Sequence, residues 1–421
     1  MTGDQPAYAP APAATAPAVA YPEIPARLAI PYVAFSVLVM SFSALFSVVP
    51  ILAFLALWLG HAYYKRVFIL RPSFALAVTV ALPFLACYSF FWSARPGQSL
   101  YAGLEFFAMA ACAVIIGRTI SAASFARGLS VGVALALAVT FIDGTYTIDF
   151  ETGRSALTGL FGSKNQVGFI SSIGIYAALA LLISAPRWQQ KLFYGAVPLA
   201  LCLPAMYLSH SATSLASLAL GVAAAAALLA ITRIRRGLRG AMTALALFAA
   251  ATVGILLAAV GADITTPVLE ALGKSPTLTG RTYLWGEGIR NGLEHPLLGH
   301  GYAAFWVEGN GAAEHYWEKF YIPGRTGFHF HNLFVQAFVD LGALGAALVV
   351  LLMAGALALS LRAVWTRAGF AGFFSFGIAF IFLIRAMVEV DLLGPFGLGP
   401  LLFLPLIPRL AAEQLRQPPA A

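Results

Sequence analysis

Apolar runs long enough to cross a bilayer follow one another along almost the whole chain, and no other feature narrows the fold as much. A hydrocarbon layer about 30 Å thick is crossed by about 20 helical residues, and runs of that length recur between short polar breaks. Lipid offers no partner for free backbone groups, so each run must satisfy its own as a helix. Composition agrees: 60% of the 421 residues are hydrophobic and 10% charged, too little polar surface to cover a soluble globule. The expected fold is an all-α polytopic membrane protein.

Reading runs against breakers gives spans near 28–44, 46–62, 73–91, 99–117, 124–142, 165–185, 192–209, 211–231, 241–262, 331–360, 370–389 and 396–410. That makes about twelve transmembrane helices, with both termini on one side. The net charge of +8 has a topological reading. Of the 25 Lys and Arg, sixteen fall in the short loops of one side, with a cluster in "TRIRRGLRG" at 232–240. Eight lie on the other side, and Arg385 lies inside a span. The basic side is then cytoplasmic, and the charge signals orientation rather than nucleic acid.

The chain divides into a disordered cytoplasmic tail over 1–26, helices one to nine over 27–262, and a large extracytoplasmic loop over 263–328. Helices ten to twelve over 329–411 and a short cytoplasmic tail over 412–421 complete it. The first 26 residues are rich in Pro and Ala and lack the basic start and apolar core of a secretory leader. Cys87, Cys112 and Cys202 lie in apolar runs with no ligand spacing, which predicts neither disulfides nor a zinc site.

Polar chemistry gathers in two extracytoplasmic segments. In the larger, "TLTGRTYLWGEGIRNGLEHPLLGHG" predicts an amphipathic helix capped by Thr279, with Leu284, Trp285, Ile289 and Leu293 on one face. Arg281 then sits in the first turn, where the helix dipole disfavours a cation unless an anion is present. Free N–H groups together with a guanidinium make a phosphate site. Arg325 and His329 lie in or at the edge of this segment. The smaller segment, 143–165, carries Arg154 and Lys164; "DFE" within it gives Asp149 and Glu151 the spacing of a weak divalent-metal site.

The stretch "GFHFHNLFVQAFVDLGALG" puts His331 and Asn332 at the mouth of the tenth span, with Gly342 and Gly345 following 11 and 14 residues after His331. At about 100° per residue the offsets are about 20° and −40°, which predicts one shared helix face and close packing that holds the imidazole. An imidazole titrates near neutrality, so it suits proton transfer. Glu105, Asp340 and Arg385 lie within spans and are expected to face protein, with Glu105–Arg385 as a pair.

With these residues assembled, the chain resembles the O-antigen ligase and polymerase superfamily of membrane glycosyltransferases. His331, Asn332, Gly342 and Gly345 match its His-Asn…Gly-x-x-Gly pattern. "GRTYLW" and "HPLLGHGY" resemble its large-loop signature, and "RSALTGLFGSKNQVGF" resembles the block that enters the sixth span in exopolysaccharide polymerases. The family carries a basic residue in Ser-Arg/Lys-Thr at the eighth span, where this chain has Ala212 in "LSHSATSLA", leaving His210, Arg154 or Lys164 to supply the charge.

The resemblance implies a GT-C-like fold in a bacterial inner membrane, with a periplasmic site. It implies transfer of a glycan from undecaprenyl pyrophosphate to an acceptor glycan without metal or other cofactor. His331 would be the base. Arg281, Arg154, Lys164, Asn332, His210, Arg325 and His329 would bind substrate, and a chain-length regulator is an admissible partner. A ligase acting on lipid A core and, more distantly, a twelve-helix transporter are the alternatives.

Overall fold

The computed structural model describes residues 23–46, 48–65, 73–148, 153–235, 237–238, 240–242, 252, 280–367 and 369–416. Within these the regular structure is helical apart from one small hairpin. Helices α1 (Ala26–Ser41), α2 (Val48–Lys65), α3 (Phe74–Tyr88), α4 (Pro96–Thr119) and α5 (Ala122–Asp143) come first. Strands β1 (Tyr146–Ile148) and β2 (Ser155–Leu157) then pair antiparallel, Thr147 opposite Ala156. Next are α6 (Lys164–Ser184), α7 (Trp188–Ser209) and α8 (Ala212–Thr232). After the next described stretch begins, α9 (Arg281–Gly292), α10 (Gly311–Lys319), α11 (Leu333–Arg367), α12 (Phe370–Ala386), α13 (Leu398–Phe403) and α14 (Leu406–Arg416) follow.

Eight helices among the described residues are long and apolar enough to cross a membrane, and α1 and α12 are shorter apolar helices. The expected ninth span lies almost wholly outside the described residues, as do Asp149, Glu151, Thr279 and the tail up to residue 22. A single helix is expected over 396–410. Instead α13 and α14 are separated at Leu404 and Pro405, because Pro405 lacks the N–H that a continuing helix would use. All three cysteines are free.

Small residues let the helices approach closely, as membrane packing favours. A Cβ on Gly128 or Gly132 of α5 would lie 2.6–2.7 Å from Val33 or Val37 of α1. At the opposite end from the site, Arg409 is buried rather than solvated. The Arg409 guanidinium lies 3.9 Å from the Phe125 ring centre, and its Nε donates to Ile120 O at 3.3 Å.

Helix α11 departs most from expectation. Gly342 adopts φ 66°, ψ −164°, so the helix breaks there, and His331, at φ 51°, precedes the helix rather than opening it. The shared His331–Gly342–Gly345 face, which assumes one regular helix, therefore does not exist. The groups freed at the break are satisfied by segment 296–301. His300 N and Gly301 N donate to Val339 O and Asp340 O, each at 2.9 Å. Ala343 N donates to Pro296 O at 2.8 Å and Leu344 N to Leu297 O at 3.3 Å. Irregular backbone at membrane depth persists when protein supplies such partners. Gly342 is required because a Cβ there would lie 2.2 Å from Leu297 C.

The segment after α9 is held from two sides. Trp92 Nε1 donates to Leu298 O at 2.8 Å and Ser99 Oγ to Tyr302 O at 2.7 Å. Above α11 it builds a small aromatic core, with Phe305, Trp306 and Phe330 at ring separations of 4.9–5.2 Å.

Candidate functional site

The site forms where α6, α8, α9, α11 and α12 end on the same side of the bundle, and its centre is Glu389, three residues beyond α12. Arg281, the first residue of α9, donates from Nη2 to Glu389 Oε1 at 3.0 Å and from Nη1 to Val388 O at 2.5 Å. His331 Nδ1 lies 3.6 Å from Glu389 Oε2. Asn165 Nδ2, one residue into α6, donates to Glu389 Oε1 at 3.3 Å. Arg281 and His331, 50 positions apart in sequence, thus converge on opposite oxygens of one carboxylate.

Beyond Asn165 the polar contacts continue into the bundle. Ser211 Oγ donates to Asn165 Oδ1 at 3.2 Å and meets Ser214 Oγ at 3.0 Å. Arg385 Nη1 donates to Ser214 Oγ at 3.0 Å, while its Nε and Nη2 reach Asp391 at 2.6 and 3.0 Å. The expected Glu105–Arg385 pair is replaced by this bidentate one, since Asp391 follows on the loop into which α12 runs. Arg385 also brings a guanidinium to the first turn of α8, two residues beyond Ala212.

Electrostatics follow from burial and neighbours. Burial by itself would raise the Glu389 carboxyl; His331, Arg281 and Arg385 outweigh it and hold it well below the usual carboxylate range. Burial, reinforced by His331 and Arg281, pushes His329 down to about 3, so its ring is neutral. Neutral His329 Nδ1 accepts the His331 N–H at 3.0 Å, and Trp285 Nε1 donates to His331 O at 3.3 Å. Both backbone groups of His331 are therefore used to hold a left-handed conformation rare outside glycine.

Asn332 caps α11, its Oδ1 accepting from Phe334 N and Val335 N at 3.0 and 3.1 Å while Nδ2 donates to Met387 O at 3.0 Å. The residue thus orients the tip of the helix. Lys164 opens α6 beside Asn165, and His210, also left-handed at φ 47°, precedes Ser211. Arg154 is exposed just before β2. Arg325 pairs with Glu314 at 3.8 Å within the segment above the bundle, outside the contacts around Glu389.

The residue that caps α9 is Gly280, at φ 79°. Its buried face is Leu284, Gly288, Asn291 and Gly292, with Ile289 and Leu293 exposed, because glycines let the helix lie against Val335 and Phe338. The anion that Arg281 needs in a first turn is present as Glu389.

His329, His331 and Glu389 place one ligand atom each within 4.8 Å of one another, a donor set that a divalent transition ion accepts. The Arg281 guanidinium on the same carboxylate sets a fixed positive charge against such an ion. Glu389 and Asp391 escaped the sequence reading. Their signal was present in "RAMVEVD", an in-span arginine followed by acids four and six residues later.

Residues 197–350 match the sequence family described as O-Antigen ligase. The chain is 36% identical over 377 residues to the Exopolysaccharide production protein ExoQ of Rhizobium meliloti (strain 1021), covering 88% of this chain and 85% of that protein.

Proposed function

Because this chain belongs to the O-antigen ligase and polymerase family of multi-pass membrane proteins, we propose that it is a polysaccharide polymerase, transferring a growing glycan between lipid-linked units. The donor is a glycan on undecaprenyl pyrophosphate and the acceptor a sugar hydroxyl. The acceptor oxygen attacks the anomeric carbon, the bond from that carbon to the pyrophosphate oxygen breaks, and the lipid pyrophosphate leaves with the electron pair. His331 takes the acceptor proton and Arg281 holds the departing diphosphate. Charge stabilisation at the leaving group is the larger effect, with the base contributing about 10²–10⁴-fold.

The observation that carries this reading is the meeting of Arg281 and His331 at one carboxylate, a cationic anion seat beside a base. In the proposed arrangement twelve helices lie in a bacterial inner membrane with both termini cytoplasmic, and the loop over 263–328 caps a periplasmic site. Lys164, His210 and Arg154 are proposed to extend the anion seat, with Asn332 and His329 orienting the base and Arg325 meeting the glycan. No metal is used, so turnover persists in strong chelator.

The test is incubation of purified protein with a synthetic lipid-linked repeat unit. Ladder growth without lipid A core supports the polymerase; transfer only when that core is added would make the protein a ligase. His331→Ala is expected to lose at least about 10²-fold in rate at unchanged expression. Arg281→Lys is expected to recover little of what Arg281→Ala loses, because a point charge does not replace a planar fork.

A further inference from the structure

Glu389 is the hub of the site, yet the proposed reaction gives it no task. Its two oxygens are divided: Oε1 takes Arg281 at 3.0 Å and Asn165 at 3.3 Å, while Oε2 faces His331 Nδ1 at 3.6 Å, beyond hydrogen-bond length. That Nδ1 is buried and has no hydrogen-bond partner, although the His331 side chain as a whole remains 22% exposed. A carboxylate shared in this way is committed to the nearer cation. It sits in the seat that a donor's diphosphate needs, and a diphosphate, with more charge and more oxygens, is the stronger guanidinium ligand.

Building on the transferase reading above, we infer that Glu389 is a positioning residue that yields Arg281 to the donor's diphosphate and then closes on His331, aligning the base only once a donor is seated. With Nδ1–H held by Oε2, Nε2 is the nitrogen left to take the acceptor proton. Hydrogen bonds that are long in an unliganded site and tighten on substrate binding are the expected pattern. The charged and titratable groups around the pair are Arg281 from α9, His329 from the same segment as His331, Arg385 from α12 and Asp391 on the loop that carries Glu389. The device orders the reaction, so that the base cannot act on a hydroxyl before a leaving group is held.

The experiment uses full-length protein in nanodiscs, with a synthetic lipid-linked repeat as donor and inorganic pyrophosphate as a competing ligand. Glu389→Gln is expected to lower kcat by about 10²-fold or more with the donor KM little changed, and to leave pyrophosphate inhibition equal or tighter. Glu389→Asp, with the charge kept, is expected to recover part of kcat, and it serves as the test if the Gln variant does not fold. A Gln variant with kcat within twofold of the natural chain overturns the inference. So does a Glu389 variant that folds but loses pyrophosphate binding together with turnover, since the carboxylate would then be holding Arg281 in place. Absence of transfer by the natural chain would defeat the transferase reading itself, a result distinct from either.

Discussion

Replacing Gly342 by alanine tests the broken helix directly. The backbone at φ 66°, ψ −164° lies in a region that essentially only glycine occupies, and a side chain held there costs about 1–3 kcal/mol. A Cβ would also lie 2.2 Å from Leu297 C and 2.3 Å from Leu297 O, backbone atoms that cannot turn aside. Relief requires segment 296–301 to withdraw, which opens the four backbone hydrogen bonds it makes with residues 339–344. At about 0.5–1.5 kcal/mol net for each bond, the total reaches several kcal/mol, a large share of the roughly 5–15 kcal/mol that holds a fold. The control lies in the same helix: a Cβ on Gly355 meets Val78 Cγ1 at 3.5 Å and Ile407 Cδ1 at 3.6 Å, ordinary contacts. Thermal melts of detergent-purified variants should therefore show a large fall for Gly342→Ala and little change for Gly355→Ala. Indistinguishable melts for the two would refute the reasoning, and with it the requirement for glycine at the break.

Asp391→Ala leaves the Arg385 guanidinium, 1% exposed, without its bidentate partner, at an expected cost of about 3–5 kcal/mol; the yield of monodisperse protein measures it, and replacing Arg385 by Met in the same chain should restore much of the loss. Acid should destabilise the protein by two linked steps. His329 is lowered from 6.5 to about 3, so below pH 6.5 the unfolded chain binds a proton that the folded chain refuses, and stability falls as pH drops from 6.5 towards 3. Glu389, held below its ordinary 4.5, adds a loss as pH falls below that value. Melts should change little from pH 7.5 to about 6.5 and decline from there to pH 4, and His329→Asn, which keeps an acceptor for His331 N, should flatten the portion above pH 4.5.

Much of the architecture was legible because hydropathy acts locally: a run either crosses a lipid layer or does not, and α2 to α8 fall where the apolar runs predict them. Arg281 and His331 were legible for a different reason, since each breaks a local rule, a cation in a first helical turn and an imidazole at a span mouth. What escaped depends on long-range backbone geometry. The Gly342–Gly345 spacing suits a regular packing helix equally well, and only the crossing of segment 296–301 reveals that Gly342 bends the chain. Glu389 was hidden because the apolar run of α12 extends to its position, so the residue read as the end of a span. Asp391 was missed with it, and Arg385 was consequently paired with the wrong carboxylate.

The interlock between segment 296–301 and the interrupted α11 limits how the enzyme can admit anything bulky. Fastened within a helix as well as to Trp92 and Ala94 on the far side, that part of the canopy cannot swing away as a hinged lid without tearing its own stitching. On the proposed polymerase reading, a doorway wide enough for a polymer has to open along another border of the site.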